Sequence, residues 1–375
     1  MKKQKSRNLI ILIMMAAWTC LPFPATAGNP LVLLKKLGTF IDTMSVKGVD
    51  RNYIDKTECP WQLIVKSNVN QSSLKMKVQN KFEDLYFSVA PNLKTEPSSY
   101  IGFWAGYRGY GLGYSVNAGG DKGSYFTIGA TGGCYGVNVR LHRFENNAPQ
   151  FSIKWEYEGY KEEDKTKVEL EWPMHVNTLI ADAYYLFNGK KFSYAAAYDQ
   201  SVIQKRSAGS LMAGAMYFYS HTNYANNRNA DIIELMKNIG RVKTWQASVG
   251  VGYAYNWVPV NGLLVNVMAM PMLTFVNNIK VYGYSTNLME IDIPEDEDWE
   301  YTDEYYDQLR INLIKSETRH GNMNLNFDAR LSLTYNFGRY FINAYGQFNN
   351  FRYHHNDSHG SLNDWFVNAA LGVRL

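Results

Sequence analysis

The sequence predicts an all-β protein: a transmembrane, antiparallel, up-and-down β-barrel of about 12 strands, with about 10 to 14 allowed. Three observations predict this fold. Apolar and polar residues alternate with a period of two along most of the chain after residue 60. Many of these stretches exceed the about 5 to 6 residues of an ordinary soluble strand. Aromatic residues make up 15% of the chain, and they gather at strand ends, as at the two interfaces of a membrane barrel.

The first 27 residues are predicted to be a secretory signal peptide. Four basic residues up to Arg7 precede an apolar run over 9–18 and a small-residue cleavage site at Ala25-Thr26-Ala27. Cys20 leaves a lipoprotein site as the alternative, although the bulky Trp18 stands where such sites have a small residue. Without these four basic residues, the chain's 38 fall to 34 and equal its 34 acidic residues. The charge balance therefore predicts no nucleic-acid partner.

Residues 28–58 are predicted to form a periplasmic N-terminal segment, and residues 59–375 the barrel. A short helix is expected over 30–41, where leucines recur at helical spacing. No apolar run of 18 residues follows the signal segment, so no membrane-crossing helix is expected. Beyond that segment only Cys59 and Cys134 remain, too few for a disulfide scaffold, and one bridge or two unpaired thiols are both open.

Residues 323–337, MNLNFDARLSLTYNF, give the clearest alternation. Odd positions are apolar or aromatic apart from Ala329, and the even positions are polar, including Asp328 and Arg330. Residues 244–257 repeat the pattern with aromatics at both ends and small aliphatics between them. Because a charge facing lipid is costly, we expect the polar side of each strand to line an interior in which charges pair.

Thirteen segments follow this pattern: 61–70, 98–107, 110–117, 124–133, 135–142, 174–187, 191–203, 208–220, 243–257, 262–276, 323–337, 340–351 and 365–375. Bacterial single-chain barrels have an even number of strands, so one segment is false or one is missing. Compact turns are predicted at 108–109, 188–189 and 338–339. Long polar connections are predicted at 143–173, 221–241, 277–321 and 352–364. The rival fold is a secreted soluble β-sandwich, which would have shorter strands and more surface Lys and Glu.

Three groups of residues are candidates for chemistry. His142, Asp182 and Asp199 lie on polar strand faces and allow a His-Asp-Ser arrangement, although a luminal hydrogen-bond network is the simpler interpretation. A histidine group near the C-terminus suits a metal, and a stretch with ten carboxylates over 290–307 suits a divalent cation; solvated loops are the simpler interpretation of both. The histidine group comprises His354, His355 and His359, with Asp357 beside them. Residues 129–136, GATGGCYG, lack the Lys-Ser or Lys-Thr of a phosphate loop and predict a turn.

Four stretches together resemble a known family: GVDRNYI at 48–54, SYIGFWAGYRGYGLGYSVN at 99–117, FSYAAAYDQSVIQKRSAGSLMAG at 192–214 and GVGYAYNW at 250–257. The family is one of Bacteroidetes outer-membrane β-barrel proteins defined by a domain of unknown function. The resemblance implies a barrel in the cell outer membrane. It implies no catalytic residues.

These observations predict a non-enzymatic outer-membrane barrel, either a narrow pore or a structural and surface-interaction module. The alternative is a barrel enzyme acting on lipid or peptide at the cell surface. The expected partners are outer-membrane lipid, lipopolysaccharide and the barrel-assembly machinery, which would dock on the terminal strand. No cofactor, catalytic residue or metal ligand is assigned, apart from the possible divalent cation at 290–307.

Overall fold

A computed structural model describes residues 48–375, apart from 83–84, 91, 95–96, 121, 158–159, 288–308 and 356–357. The signal peptide and the helix expected over 30–41 lie outside the described residues, and both stay predictions. Within the described part of the chain, no helix is long and apolar enough to cross a bilayer.

The described residues are nearly all strand. The strands are β1 (Ile54–Lys56), β2 (Trp61–Phe82), β3 (Leu85–Ala90), β4 (Asn92–Lys94), β5 (Ser98–Tyr107), β6 (Tyr110–Gly119), β7 (Gly123–Thr131), β8 (Tyr135–Asn146), β9 (Gln150–Tyr157), β10 (Tyr160–Lys167), β11 (Met174–Leu186), β12 (Val202–Gln204), β13 (Ala208–Asn223), β14 (Ile239–Trp257), β15 (Leu263–Thr286), β16 (Ile311–His320), β17 (Asn324–Phe337), β18 (Tyr340–His355) and β19 (Ser358–Arg374). Two short helices, α1 (Ala195–Tyr198) and α2 (Ala230–Leu235), and a 3₁₀ turn at Asn227–Asn229 complete the described elements.

Twelve strands form a closed antiparallel barrel, which confirms the predicted fold. Their order around the wall is β2, β5, β6, β7, β8, β11, β13, β14, β15, β17, β18 and β19, and β19 pairs with β2 to close the ring. The even number shows which of the thirteen predicted segments was false. It is 191–203, which is not part of the wall.

The two ends of the barrel differ. One end, the turn end, carries compact turns such as 108–109 and 338–339, and there Trp61 N donates to Leu375 O at 3.1 Å. The other end, the loop end, carries the longer connections. Parts of the predicted polar connections are in fact strand. β9 and β10 form a hairpin within 143–173, and β16, within 277–321, pairs with the part of β15 that lies beyond its pairing with β17. A turn is present at 188–189, as predicted, but it leads the chain into the barrel and does not join two wall strands as a hairpin.

The outer face of the wall is apolar and the inner face is largely polar, which is the reverse of a soluble protein. On β14, Val249 and Val251 face outward and are 46% and 62% exposed, whereas Gln246 and Ser248 face inward and are 2% and 3% exposed. The same sorting recurs on β17, where Leu331 and its outward neighbours are exposed. A soluble sandwich would bury the apolar face between its sheets. The rival fold is therefore wrong.

Two aromatic residues on the outer face of β17 are spaced as the borders of an outer-membrane barrel's apolar band are. Phe327 and Phe337 both face outward on β17. At about 3.4 Å per residue they lie about 34 Å apart along the strand, which becomes about 26 Å across the wall at a tilt of about 40°. The apolar band of known outer-membrane barrels is about 25 Å tall.

One side of the lumen is filled by a buried sulfur-rich core. Methionines from β13 and β15 pack there with aromatic side chains: Met212, Met216, Met268, Met270, Met272, Phe218 and Phe351. Glycines on the strand between them leave the space, since a Cβ at Gly252 would lie 2.7 Å from the Met270 Cβ and one at Gly250 would lie 2.9 Å from the Met272 Cγ. The Phe218 and Phe351 rings stack across the lumen with centroids 4.3 Å apart.

Candidate functional site: the plug and the luminal chamber

Residues 191–204, here called the plug, fold into the turn end of the lumen. Phe192 and Tyr194 are 0% and 2% exposed, and all three alanines of α1 are buried. The Ser193 Oγ accepts a hydrogen bond from Ala196 N at 3.1 Å, which supports the first turn of α1. Three consecutive alanines favour helix over strand, and their small side chains fit a confined space. The middle of the segment therefore forms the short internal helix α1, and the segment is not a wall strand.

Hydrogen bonds fasten the plug to strands on one side of the wall. Tyr198 Oη donates to Asn266 Oδ1 on β15 at 2.6 Å, and Asn256 Nδ2 on β14 donates to Ser193 O at 2.8 Å. Asn343 Nδ2 on β18 donates to Ala197 O at 3.2 Å. These partners are polar side chains on the inward face of the strands. The inward polar residues of the wall therefore hold the plug in its position.

Other bonds fasten the plug further around the ring. Arg374 Nε on β19, the neighbour of β18, donates to Gln200 O at 3.0 Å, and Thr131 Oγ1 on β7 donates to the Asp199 carboxylate from the opposite side. In a ring of twelve strands, β7 lies six strands from β17, whose Ser332 Oγ donates to Ala197 O at 2.5 Å. The plug therefore crosses the full width of the lumen.

A second segment of chain extends the plug below the turn end. β1 pairs with β12 in a two-stranded sheet, with Ile54 opposite Gln204. Thr57 Oγ1 donates to Ser201 O at 3.1 Å, and Arg108 from the β5–β6 turn donates to Thr57 O at 3.1 Å. Part of the predicted periplasmic segment 28–58 thus packs against the plug.

A buried ion-pair network joins the plug to the wall. Arg330 Nη2 lies 2.8 Å from Asp328 Oδ2 and 3.2 Å from Asp182 Oδ2, and the three side chains are 5%, 0% and 9% exposed. Arg330 Nη1 also donates to the hydroxyl of Tyr194 in the plug. Asn138 Nδ2 donates to Asp182 Oδ2 at 2.9 Å. The carboxylate and guanidinium predicted to face inward from 323–337 do face inward and pair.

A second ion pair crosses the lumen nearer the loop end. Arg140 Nη2 on β8 lies 2.8 Å from Asp364 Oδ2 on β19, five strands away around the ring. Between this pair and the plug lies a cavity of about 140 Å³, here called the chamber. Lys66 faces the chamber, where its Nζ donates to Thr127 Oγ1 at 3.2 Å and lies 5.7 Å from the centre of the Trp104 ring. The chamber lining therefore includes an ammonium group and an aromatic ring, together with the carboxylates of Asp182 and Asp199.

The His-Asp-Ser arrangement weighed from the sequence is not assembled among the described contacts. His142 Nε2 lies 3.0 Å from Tyr100 Oη, and the His142 ring stacks on Tyr125 at a centroid distance of 3.9 Å. No described hydrogen bond or ion pair joins His142 to Asp182 or Asp199. Asp182 pairs with Arg330, and Asp199 accepts from Ser201 N at 2.8 Å. The three residues belong to separate polar networks.

The metal hypotheses fall on residues that the structure does not describe. The side chains of His354, His355 and His359 lie outside the described residues, as do Asp357 and the acidic stretch 290–307. Both hypotheses stay predictions. In the part of the chain that is described, no three His, Cys, Asp or Glu side chains are placed to hold a metal ion. Cys59 and Cys134 are both free thiols, and 132–134 is a turn between β7 and β8, as predicted.

The sequence alone does not identify Lys66, Asp364 or Tyr194 as residues of the candidate site. Lys66 lies on the polar face of a predicted strand, so its inward direction could have been inferred. Asp364 directly precedes the predicted strand 365–375 and was assigned to a loop. The alternation of residues 191–203 predicts a lipid-facing Tyr194, because a period of two cannot tell a wall strand from a short buried segment of the same pattern.

Comparison with known proteins identifies a family and weak structural likenesses. The profile of the family described as "Domain of unknown function (DUF4421)" matches residues 48–374. No curated protein matches the chain. Among solved structures, the β domain of the Bordetella autotransporter BrkA is 9% identical with a TM-score of 0.31, covering 85% of this chain and 100% of that one.

Two further structures give similar values. OmpT, an outer-membrane protein of Vibrio cholerae, is 7% identical with a TM-score of 0.28, covering 85% of this chain and 97% of that one. The transport unit of the autotransporter AIDA-I from Escherichia coli is 10% identical with a TM-score of 0.27, covering 91% of this chain and 97% of that one. Because these scores are low, the assignment of the barrel depends on this chain's own strand pairing.

Proposed function

The chain belongs to the DUF4421 family, a domain of unknown function, and we propose that it is an outer-membrane barrel closed by its own plug. In this proposal it serves the cell envelope as a structural and surface-interaction module, without a permanently open pore. The outward apolar band and its aromatic borders support a location in the outer membrane. A Bacteroidetes source is proposed from the resemblance of the four sequence motifs. The terminal strand β19 is proposed to be the docking site of the barrel-assembly machinery.

One observation carries the proposal: side chains cross or fill the lumen at three places. The plug crosses it at the turn end, the Arg140–Asp364 ion pair crosses it nearer the loop end, and the Phe218–Phe351 stack fills the other side. A pore of fixed width needs a continuous aqueous path, as in larger porin barrels. The crossing contacts favour a closed barrel.

The chamber favours a second candidate, a narrow pore that opens when the plug moves. The ammonium of Lys66 faces the chamber, and no ion pair with a carboxylate is described for it. An uncompensated cation in a confined passage favours small anions. This candidate predicts conductance only after the plug is displaced.

Conductance in planar lipid bilayers tests the proposal. In a plug-free variant, residues 189–206 are replaced by a short Gly-Ser turn, which suffices because β11 and β13 are adjacent antiparallel strands. In the matched control, residues 225–237 are replaced in the same way between the adjacent strands β13 and β14. We expect no channels from the natural protein or the control, and stepwise channels from the plug-free variant. Steady ohmic conductance by the natural protein would contradict the closed barrel.

The alternative to a structural module or a pore is a barrel enzyme acting on lipid or peptide. It predicts an activity that the natural protein shows and that His142→Ala and Asp199→Ala variants lose. A screen of purified, folded protein against lipid and peptide panels checks this alternative. Folding of every variant is verified by the change in gel mobility on boiling.

A further inference from the structure

Basic side chains form a row across three strands on the outer face of the wall. Strand register places His221 on β13 opposite Lys243 on β14, and Lys243 opposite Lys280 on β15. The row faces outward, because Gln246 on the other face of β14 is buried against the lumen. Like charges directly opposite one another destabilise a sheet. A row of this kind therefore calls for a counter-anion.

The next row toward the loop end completes a basic cluster around one ring. Arg241 lies opposite Tyr282, and its guanidinium carbon is 4.0 Å from the centre of the Tyr282 ring. The Nζ atoms of Lys243 and Lys280 lie 5.4 and 5.2 Å from the same centre. Among the described residues, none of these three cations forms an ion pair with a carboxylate.

Two buried nitrogens in the cluster lack a hydrogen-bond partner among the described atoms. They are Nε of Arg241 and Nε2 of His221. Burying a polar atom without a partner costs about 1–3 kcal/mol, and an ion bound nearby is one arrangement that removes this cost. A phosphate offers several acceptor oxygens and would accept from the Arg241 guanidinium and from the ammonium groups of Lys243 and Lys280. The cluster thus has both the charge and the open donors of a phosphate site.

The position of the cluster indicates what carries the phosphate. Two residues nearer the turn end, Tyr219 lies opposite Trp245 on the same outer face. Two residues along a strand correspond to about 7 Å, so the basic row lies just beyond the aromatic border of the apolar band. That is the level of lipid headgroups. A lipid there would place its acyl chains on the apolar wall below.

We propose that Arg241, Lys243 and Lys280 bind the phosphate of a lipid A headgroup in the outer leaflet, with Tyr282 at the centre of the site. This inference rests on the proposed outer-membrane location and on the loop end facing outward. The anionic lipid is held by charge-assisted hydrogen bonds to the basic residues and by apolar contact between its acyl chains and the wall. The phosphate's negative charge compensates the like charges that the strand register places opposite one another.

Binding of monophosphorylated lipid A to the purified full-length barrel in dodecyl maltoside micelles tests the proposal, with native mass spectrometry as the readout. We compare the natural protein with the double variant Lys243→Gln/Lys280→Gln. The matched control is Lys56→Gln/Lys205→Gln, which removes two lysines at the turn end. We expect at least tenfold weaker binding by the first double variant and unchanged binding by the control.

The proposal would be overturned if the natural protein and the first double variant bound lipid A equally well, or if the natural protein bound dephosphorylated lipid A as tightly as the monophosphorylated form. Complete displacement of lipid A by millimolar inorganic phosphate would also overturn it, because the site would then be one for free phosphate. The mobility change on boiling shows that each variant is folded. The conductance experiment does not depend on lipid A, so failure of the lipid site and failure of the closed barrel are distinguishable.

Discussion

Replacement of Arg330 by alanine is expected to destabilise the barrel more than any change to an exposed ion pair. The guanidinium lies between two carboxylates, 2.8 Å from Asp328 Oδ2 and 3.2 Å from Asp182 Oδ2. It also donates to the Tyr194 hydroxyl, so its loss removes one of the hydrogen bonds between the plug and β17. Without it, two nearly inaccessible carboxylates would face each other with no cation between them.

The expected magnitude follows from this burial. Removing one partner of a buried ion pair costs about 3–5 kcal/mol, because the remaining charge is left uncompensated in a low-dielectric site. The Arg319–Glu317 pair is the matched control, at 3.1 Å with side chains 39% and 53% exposed. Exposed pairs contribute about 0.2–1 kcal/mol. Arg319→Ala is therefore expected to stay within about 1 kcal/mol of the natural protein.

Urea unfolding in detergent micelles, followed by tryptophan fluorescence and by gel mobility, measures both free energies. A third variant, Asp182→Asn/Asp328→Asn/Arg330→Met, removes all three charges together. We expect it to regain most of the stability lost by Arg330→Ala, because replacing a whole buried ion cluster is often close to neutral. If Arg330→Ala and Arg319→Ala were equally stable, the network would not hold the plug and wall together, and the reasoning would be refuted.

Two further predictions concern the wall. Val251 faces outward near the middle of the apolar band and is 62% exposed, so Val251→Lys should lower the unfolding free energy in lipid vesicles by about 2–4 kcal/mol. The control Val260→Lys, in the β14–β15 turn, should change that free energy by less than about 1 kcal/mol. Equal effects of the two variants would contradict a lipid-facing wall. Gly372→Ala would drive its Cβ into the buried Phe341 ring and should cost about 1–3 kcal/mol, while Gly346→Ala, whose Cβ would meet no atom closer than 3.8 Å, should be nearly neutral in the same unfolding experiment.

The wall could be predicted from the sequence because lipid and lumen impose opposite chemistry on alternate residues. Residues 323–337 and 244–257 carry that contrast along their whole length, and both are wall strands. Strand extensions beyond the membrane lose the contrast, since water meets both of their faces. The run of polar residues in β16 therefore gives no strand signal, although β16 pairs with β15 with one register shift between Gly283 and Tyr284.

The plug could not be separated from the wall by periodicity alone. Phe192, Tyr194 and Tyr198 alternate with small residues as a lipid-facing strand would. Whether such aromatics meet acyl chains or a lumen depends on the whole ring of strands, which no local pattern contains. The odd number of predicted strands was the available signal that one segment was false.

The candidate site was predictable only in part, for a related reason. The inward direction of Asp328 and Arg330 follows from their own strand. The approach of Asp182 from β11 and of Tyr194 from the plug depends on closure of the barrel over more than 130 residues. Local alternation identifies which side chains enter the lumen, and the order of strands decides which of them meet.

Collision accessibility of spin labels along β14 tests the central claim most directly, that this wall separates acyl chains outside from a packed lumen inside. In a Cys59→Ser/Cys134→Ser background, single labels are placed at Ser248, Val249 and Val251 in lipid vesicles. We predict high oxygen and low nickel-chelate accessibility at Val249 and Val251, and low accessibility to both reagents at Ser248. Labels at Val249 and Val251 shielded from oxygen, or freely reached by the nickel chelate, would contradict the account.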